Sequence, residues 1–111
     1  MKIKQNVQND IMILELSGKI MGGPDHDKFK GEVASVLEAG HRNVVLDLNG
    51  VPWINSTGLG ILISGFHSIK NAEGQLRICN VKERVLSIFY MSQLENVFEV
   101  HPTRDEALAS F

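Results

Sequence analysis

Two neighbouring hydroxyls, Ser56 and Thr57, follow Asn55 and precede Gly58-Leu59-Gly60. A continuous apolar run, Val44-Val45-Leu46-Asp47-Leu48, lies just upstream, and residues of helical spacing follow. A strand therefore ends, and a helix begins, at the hydroxyl pair. The first turn of a helix has unpaired backbone N–H groups and the positive end of the helix dipole. Hydroxyls at that point can cap the helix by accepting an N–H. They can also carry a phosphate, or offer a polar contact to a partner. From spacing alone capping is the commoner use, and Ser56 suits an N-cap as well as it suits modification.

Other residues carry weaker signals. Gly58-Leu59-Gly60 looks like part of a nucleotide-binding loop, but the third glycine and any P-loop Lys-Ser/Thr are missing. His26, His41, His67 and His101 form no pair of tight zinc-ligand spacing, and Cys79 is the single cysteine. No metal site, cofactor or catalytic centre is therefore expected. Asp47 interrupts an apolar strand, which suits a carboxylate that accepts hydrogen bonds from the loop after it. Trp53 reads as core, with an exposed partner anchor as the other use. Cys79 reads as a small buried apolar residue. Met21-Gly22-Gly23-Pro24-Asp25 is either a helix-entry loop or a partner surface, and Met21, Pro24 and Asp25 are the candidate contacts.

The elements that must position these groups follow from periodicity. Residues 2–8 and 11–17 read as strands joined at Asn9-Asp10, with Met12, Leu14 and Leu16 in strict alternation. Pro24 fits the first position of a helix, Asp25 and Asp27 favour its first turn, and Phe29, Val33, Val36 and Leu37 make its stripe. Gly40 stops it. Residues 43–48 read as a central strand covered on both faces. Leu59, Leu62, Phe66 and Ile69 define a helix over about 57–72, ended by Gly74. Gln75–Cys79 is a strand, and Asn80 with Glu83 has capping-box spacing for a helix carrying Val81, Val85, Ile88 and Phe89. Val97–Val100 is a short last strand. Thr103 and Glu106 form a second capping box, opening a helix with Leu108 and Phe111.

The order is β-β-α-β-α-β-α-β-α, an α/β fold with a mixed sheet packed by about four helices. At 111 residues the chain fits one domain, 1–111, and buries enough surface for a core without metal or disulfide. A net charge of -2 with no basic patch argues against a nucleic-acid partner. The apolar runs are strand length, far below the ~20 residues that span a bilayer, so no membrane insertion is expected. One cysteine and no signal-like start point to the cytoplasm.

Asn55-Ser56-Thr57-Gly58-Leu59-Gly60 resembles the Asp-Ser-Ser/Thr-Gly-Leu-Gly signature of STAS domains, the family of bacterial anti-sigma factor antagonists. The element order and the strand Val44 to Leu48 resemble that family over nearly the whole chain. The resemblance implies a STAS fold and a regulatory protein without enzymatic activity. It implies phosphorylation of the second hydroxyl, Thr57, with Ser56 as the rival acceptor. The implied partner is an anti-sigma factor that is itself a serine/threonine kinase, bound when Thr57 is free and released when it is phosphorylated. A phosphatase would reset the switch. Asn55, Ser56, Thr57, Gly58, Met21, Pro24 and Asp25 are the implied partner-binding residues. The phosphate would sit on the N–H groups of Gly58, Leu59 and Gly60.

Two departures stand out. Asn55 replaces the family's aspartate, and Lys19-Ile20-Met21-Gly22-Gly23-Pro24 lacks an acidic residue common there. Two other functions stay open. One is a STAS scaffold in a signalling complex or transport system, with the hydroxyls unmodified. The other is a small-ligand or enzymatic domain.

Overall fold

The computed structural model describes residues 1–94 and 97–111. Strand β1 (Lys2–Gln8) pairs antiparallel with β2 (Ile11–Ser17), Lys2 opposite Ser17 and Gln8 opposite Ile11. Asn9 and Asp10 both take positive φ, 55° and 63°, the twist that a two-residue hairpin turn needs. The chain then crosses over through helix α1 (Pro24–Glu38) to β3 (Asn43–Gly50), which pairs parallel with β2. Helix α2 (Ser56–Asn71) leads to β4 (Gln75–Cys79), parallel to β3. Helix α3 (Glu83–Met91) leads to β5 (Glu99–His101), parallel to β4, and α4 (Arg104–Ala109) closes the chain. Spatial order follows chain order, β1-β2-β3-β4-β5.

The period of two sorts the strand residues onto two faces. Met12, Leu14, Leu16, Val44, Leu46, Leu48, Leu76 and Ile78 join the large core with Phe29 and Val33 of α1, Leu59 and Leu62 of α2, and Val85 and Phe89 of α3. Ile11, Ile13, Val45 and Cys79 point the other way, onto Ala107 and Leu108 of α4. The single short helix on this side is why β3 is apolar on both faces, as its sequence implied.

Several local expectations change. Asn80 takes φ 56°, so it does not cap α3; Lys82 holds that position without a side-chain bond. The Asn80 amide instead donates to Asp47 Oδ2 at 3.1 Å. The last strand starts at Glu99, because the Val97 and Phe98 N–H groups both donate to the Leu94 carbonyl in a turn. That turn drives Phe98 into the core, 5.3 Å from the Phe89 ring and 5.8 Å from Phe66. At α4 the Thr103 hydroxyl accepts from the Glu106 N–H at 3.2 Å, the N-cap half of the expected capping box. Phe111 lies past the helix end, its ring 4.6 Å from the Arg77 guanidinium. No described helix is long and apolar enough to cross a membrane.

Candidate functional site: the exposed hydroxyls at the start of α2

The segment leaving β3 turns at once, with the Val51 N–H donating to the Leu48 carbonyl at 3.0 Å. It then lies beside the segment leaving β2. Ile20 and Ile54 form an isolated parallel bridge. The Ile20 N–H donates to the Trp53 carbonyl and the Asn55 N–H to the Ile20 carbonyl, each at 3.4 Å. The loop after β2 is thereby fastened to the residues that open α2.

Asn55 is the helix cap. Its Oδ1 accepts the Gly58 N–H at 2.7 Å, and its carbonyl accepts the Leu59 N–H at 2.9 Å. Its Nδ2 donates to the Met21 carbonyl at 3.1 Å. The amide thus does two tasks at once. An aspartate could perform the first and not the second, having no donor when ionised.

Capping is therefore not the use of the hydroxyls. Ser56 is not the N-cap, and both Ser56 and Thr57 are exposed in the first turn of α2. Among the described residues neither hydroxyl takes part in a hydrogen bond. The expected phosphate cradle changes as well. Gly58 and Leu59 spend their N–H groups on Asn55, and Gly60 lies one residue deeper in the helix. The earlier N–H groups, those of Ser56 and Thr57, precede the capping bonds and face the end of the helix.

Gly58 is a packing requirement. A Cβ there would lie 1.9 Å from the Ile20 carbonyl oxygen and 2.8 Å from Ile54 Cγ1. Only a glycine lets α2 start this close to the Ile20 backbone. Further along, a Cβ at Gly65 would lie 2.4 Å from the Phe29 ring, so α1 and α2 meet through the same device. Gly60 meets nothing within 4 Å, so packing gives no account of it.

The structure brings most of the expected partner residues together. Met21 is 45% exposed and touches the site through its carbonyl. Gly22 is buried against Thr57: a Cβ there would come within 2.6 Å of Thr57 Cγ2. Pro24 is exposed as the first residue of α1. Asp25 is half-buried, its Oδ1 3.5 Å from the Met1 amino nitrogen, so its charge already has a partner. Trp53 is half-buried and lies outside the core that was expected to hold it.

Asp47 serves a different place. It is 5% exposed, and its Oδ1 accepts the Asn49 N–H at 2.9 Å, the loop-side bond expected of it. Its Oδ2 receives Arg104 Nη2 at 2.7 Å and Nε at 3.0 Å. Arg104 also binds Glu15. The Glu15 and then the Asp47 hydrogen bonds raise the Arg104 pKa above its already high ordinary value. Burial first, and the nearby Asp47 charge second, push the Cys79 thiol up from 9.0 to about 12. Sequence reasoning passed over Arg104, although Glu15 and Asp47 interrupt facing positions of two apolar strands and jointly require a cation.

A family model for the STAS domain matches residues 2–107. The chain belongs to the STAS family. Among its relatives is BtrV of Bordetella bronchiseptica, a candidate anti-sigma factor antagonist. The two are 28% identical over 111 residues, covering 100% of this chain and 95% of that one. The anti-sigma-B factor antagonist of Bacillus subtilis is 27% identical over 100 residues, 88% of this chain and 86% of that one. The fold also matches the Bacillus anti-sigma factor antagonist SpoIIAA. Its unphosphorylated form superposes with a TM-score of 0.78 at 14% identity, covering 96% of this chain and 93% of that one. Its phosphorylated form gives 0.73 at 13% identity, covering 98% of each.

Proposed function

We propose that this STAS protein is a phospho-switched anti-sigma factor antagonist with Thr57 as the acceptor. The observation that carries this reading is that Asn55 caps α2 alone. The two hydroxyls beside it are exposed and, among the described residues, have no hydrogen bond to lose. A pair of hydroxyls kept in the first turn and not used to cap it is available for modification. Ser56 is the rival acceptor, and Thr57 leads by its position in the family signature.

In the unmodified state the surface formed by Met21, Pro24, Asn55, Ser56 and Thr57 binds an anti-sigma factor that is also a serine/threonine kinase. The kinase transfers the γ-phosphoryl group of its ATP to Thr57 Oγ1, the hydroxyl proton passes to the kinase's base, and ADP leaves. The STAS domain contributes the nucleophilic oxygen and no catalytic group. The phosphate adds about 1.5 to 2 negative charges near neutral pH. The helix start tolerates them, since the dipole favours an anion there by roughly 0.3–1 kcal/mol, and α2 has no acidic residue in its first turn. The protein therefore stays folded, and release comes from a charge and a bulk placed inside a docking surface. A separate phosphatase resets the site. The switch runs in the cytoplasm, without nucleic acid or membrane insertion.

The test is a pull-down from native lysate with Thr57→Ala and Thr57→Glu baits, read by mass spectrometry. A kinase held by the alanine bait and lost with glutamate is the expected result. Equal capture of the same non-kinase partners by both baits would overturn the switch and favour a STAS scaffold.

A further inference from the structure

We infer that Gly22 is a positioning residue for Thr57: it seats the threonine methyl and so fixes which way the hydroxyl points. The inference rests on Thr57 being the acceptor only for its consequence, not for its geometry. Gly22 is buried in an otherwise exposed loop, between Met21 and Gly23. Its φ is 104°, a conformation that side-chain-bearing residues rarely adopt. A Cβ built on it would lie 2.6 Å from Thr57 Cγ2 and 3.4 Å from Thr57 Cβ. The space that a side chain would fill at position 22 is therefore occupied by the methyl of Thr57.

That contact has a stereochemical result. The methyl and the hydroxyl sit on one tetrahedral carbon, and a β-branched side chain has few rotamers open to it in a helix. With the methyl lodged over Gly22, the hydroxyl is left one of the other two staggered positions. A serine at 57 has no methyl to lodge, and its hydroxyl rotates freely. The seat thus makes threonine the better presented acceptor at this position.

The seat is also part of a larger fastening. The Asn55 amide holds the Met21 carbonyl at 3.1 Å, and the Ile20 backbone lies against Gly58. Residues 20–22 accordingly meet the start of α2 at its cap Asn55 and at Thr57 and Gly58. Gly23 supplies an internal control. It also has positive φ, 62°, but a Cβ there meets nothing within 4 Å. An alanine at 23 strains the same loop without touching Thr57.

The experiment compares the wild type, Gly22→Ala, Gly23→Ala, Thr57→Ser and the double variant Gly22→Ala/Thr57→Ser. Three-bond carbon–nitrogen and carbon–carbonyl couplings to the Thr57 methyl report its χ1 angle. Single-rotamer couplings are expected in the wild type and in Gly23→Ala, and averaged or switched couplings in Gly22→Ala. Denaturant midpoints close the cycle. The loss caused by Gly22→Ala should shrink by half or more when Thr57 is already serine, because the methyl is gone and only backbone strain remains. Averaged couplings in the wild type, or equal effects of the two glycine substitutions on Thr57, would overturn the seat. None of these measurements needs a kinase. If the kinase pull-down fails while the couplings hold, the phospho-switch is wrong and the seat stands. If the couplings fail, the seat is wrong whatever the kinase does.

Discussion

The start of α2 is held by backbone contacts, a single amide and a glycine, whereas the far face of the sheet carries three charges locked onto one another. Both places hold the kinds of residue that chemistry uses. At the first, Ser56 and Thr57 are exposed and unbonded among the described residues. At the second, Arg104 binds Asp47 and Glu15, and Asn49 and Asn80 take the remaining acceptor positions on Asp47. Strand register even aligns Lys4, Glu15, Asp47, Cys79 and His101 in one row across all five strands. The Glu15–Arg104–Asp47 cluster within that row is a fastener that ties α4 to β2 and β3, since its three charges are engaged with one another. At the neutral place the structural work is done by atoms that are not the hydroxyls.

If backbone contact holds the first place, a single methyl group should do the most damage. Gly58→Ala puts a carbon 1.9 Å from the Ile20 carbonyl oxygen, where neither backbone can yield easily. The expected loss is more than about 3 kcal/mol in urea unfolding. Gly60→Ala, in the same turn with open space around it, should gain about 0.5–1 kcal/mol from helix propensity. A small loss at Gly58 would mean that the loop after β2 is not clamped to the helix.

At the charged place, Arg104→Leu leaves the buried Asp47 carboxylate without its cation. Breaking a fully buried pair costs about 3–5 kcal/mol. The Arg104 side chain is 26% exposed, and solvent screening lowers the expectation to roughly 2 kcal/mol. Removing the carboxylate as well, in Asp47→Leu/Arg104→Leu, should recover part of that loss. Unfolding midpoints of Arg104→Leu, Asp47→Leu and the double variant decide this. A double variant worse than the sum of its parts would show that the cluster does more than fasten.

Cys79 sharpens the contrast through pH. Its thiol titrates at about 12 in the folded chain against 9.0 when unfolded. Between those values the unfolded state gives up the proton first, so the folded state binds more protons and stability falls as pH rises. The slope has a ceiling of about 1.4 kcal/mol per pH unit. The thiol contribution is fully present below pH 9, and Cys79→Ala should remove the steeper part of the fall. Equal slopes for the two proteins would mean that the thiol is not shielded.

The fold was legible because strand and helix periods seldom conflict in this chain. Met12, Leu14 and Leu16 give one face of β2, and the run Val44 to Leu48 gives a strand covered on both. What escaped was decided by partners distant in sequence. Asn80 has the spacing of a cap, but its amide is drawn to Asp47, 33 residues away. Phe98 has the pattern of a strand residue, but two aromatic rings claim it. At the site, the signature located the hydroxyls and put an amide suited to capping just before them, with Ser56 left as a rival cap. Asn55 and Ser56 both have capping side chains, and the Met21 carbonyl, 34 residues away in sequence, gives the Asn55 amide a second bond.

That second bond sets the smallest expected effect. In Asn55→Asp the carboxylate still accepts the Gly58 N–H, and its charge suits the helix start. It cannot donate to the Met21 carbonyl, and its second oxygen then faces that carbonyl as one acceptor against another. The two changes oppose each other, so stability should move by less than about 1 kcal/mol, within the range of one neutral hydrogen bond. The loop should register the change more than the fold does. Amide exchange at residues 21–23 should quicken while exchange within α2 stays the same. Asn55→Ala loses the cap as well and should cost about 1–2 kcal/mol, with fraying at the start of α2. If aspartate and alanine destabilise equally, the cap is not what the amide contributes. If aspartate leaves the loop unchanged, the bond to Met21 is not what holds the loop against Thr57, and the Gly22 contact together with the Ile20 bridge holds it alone.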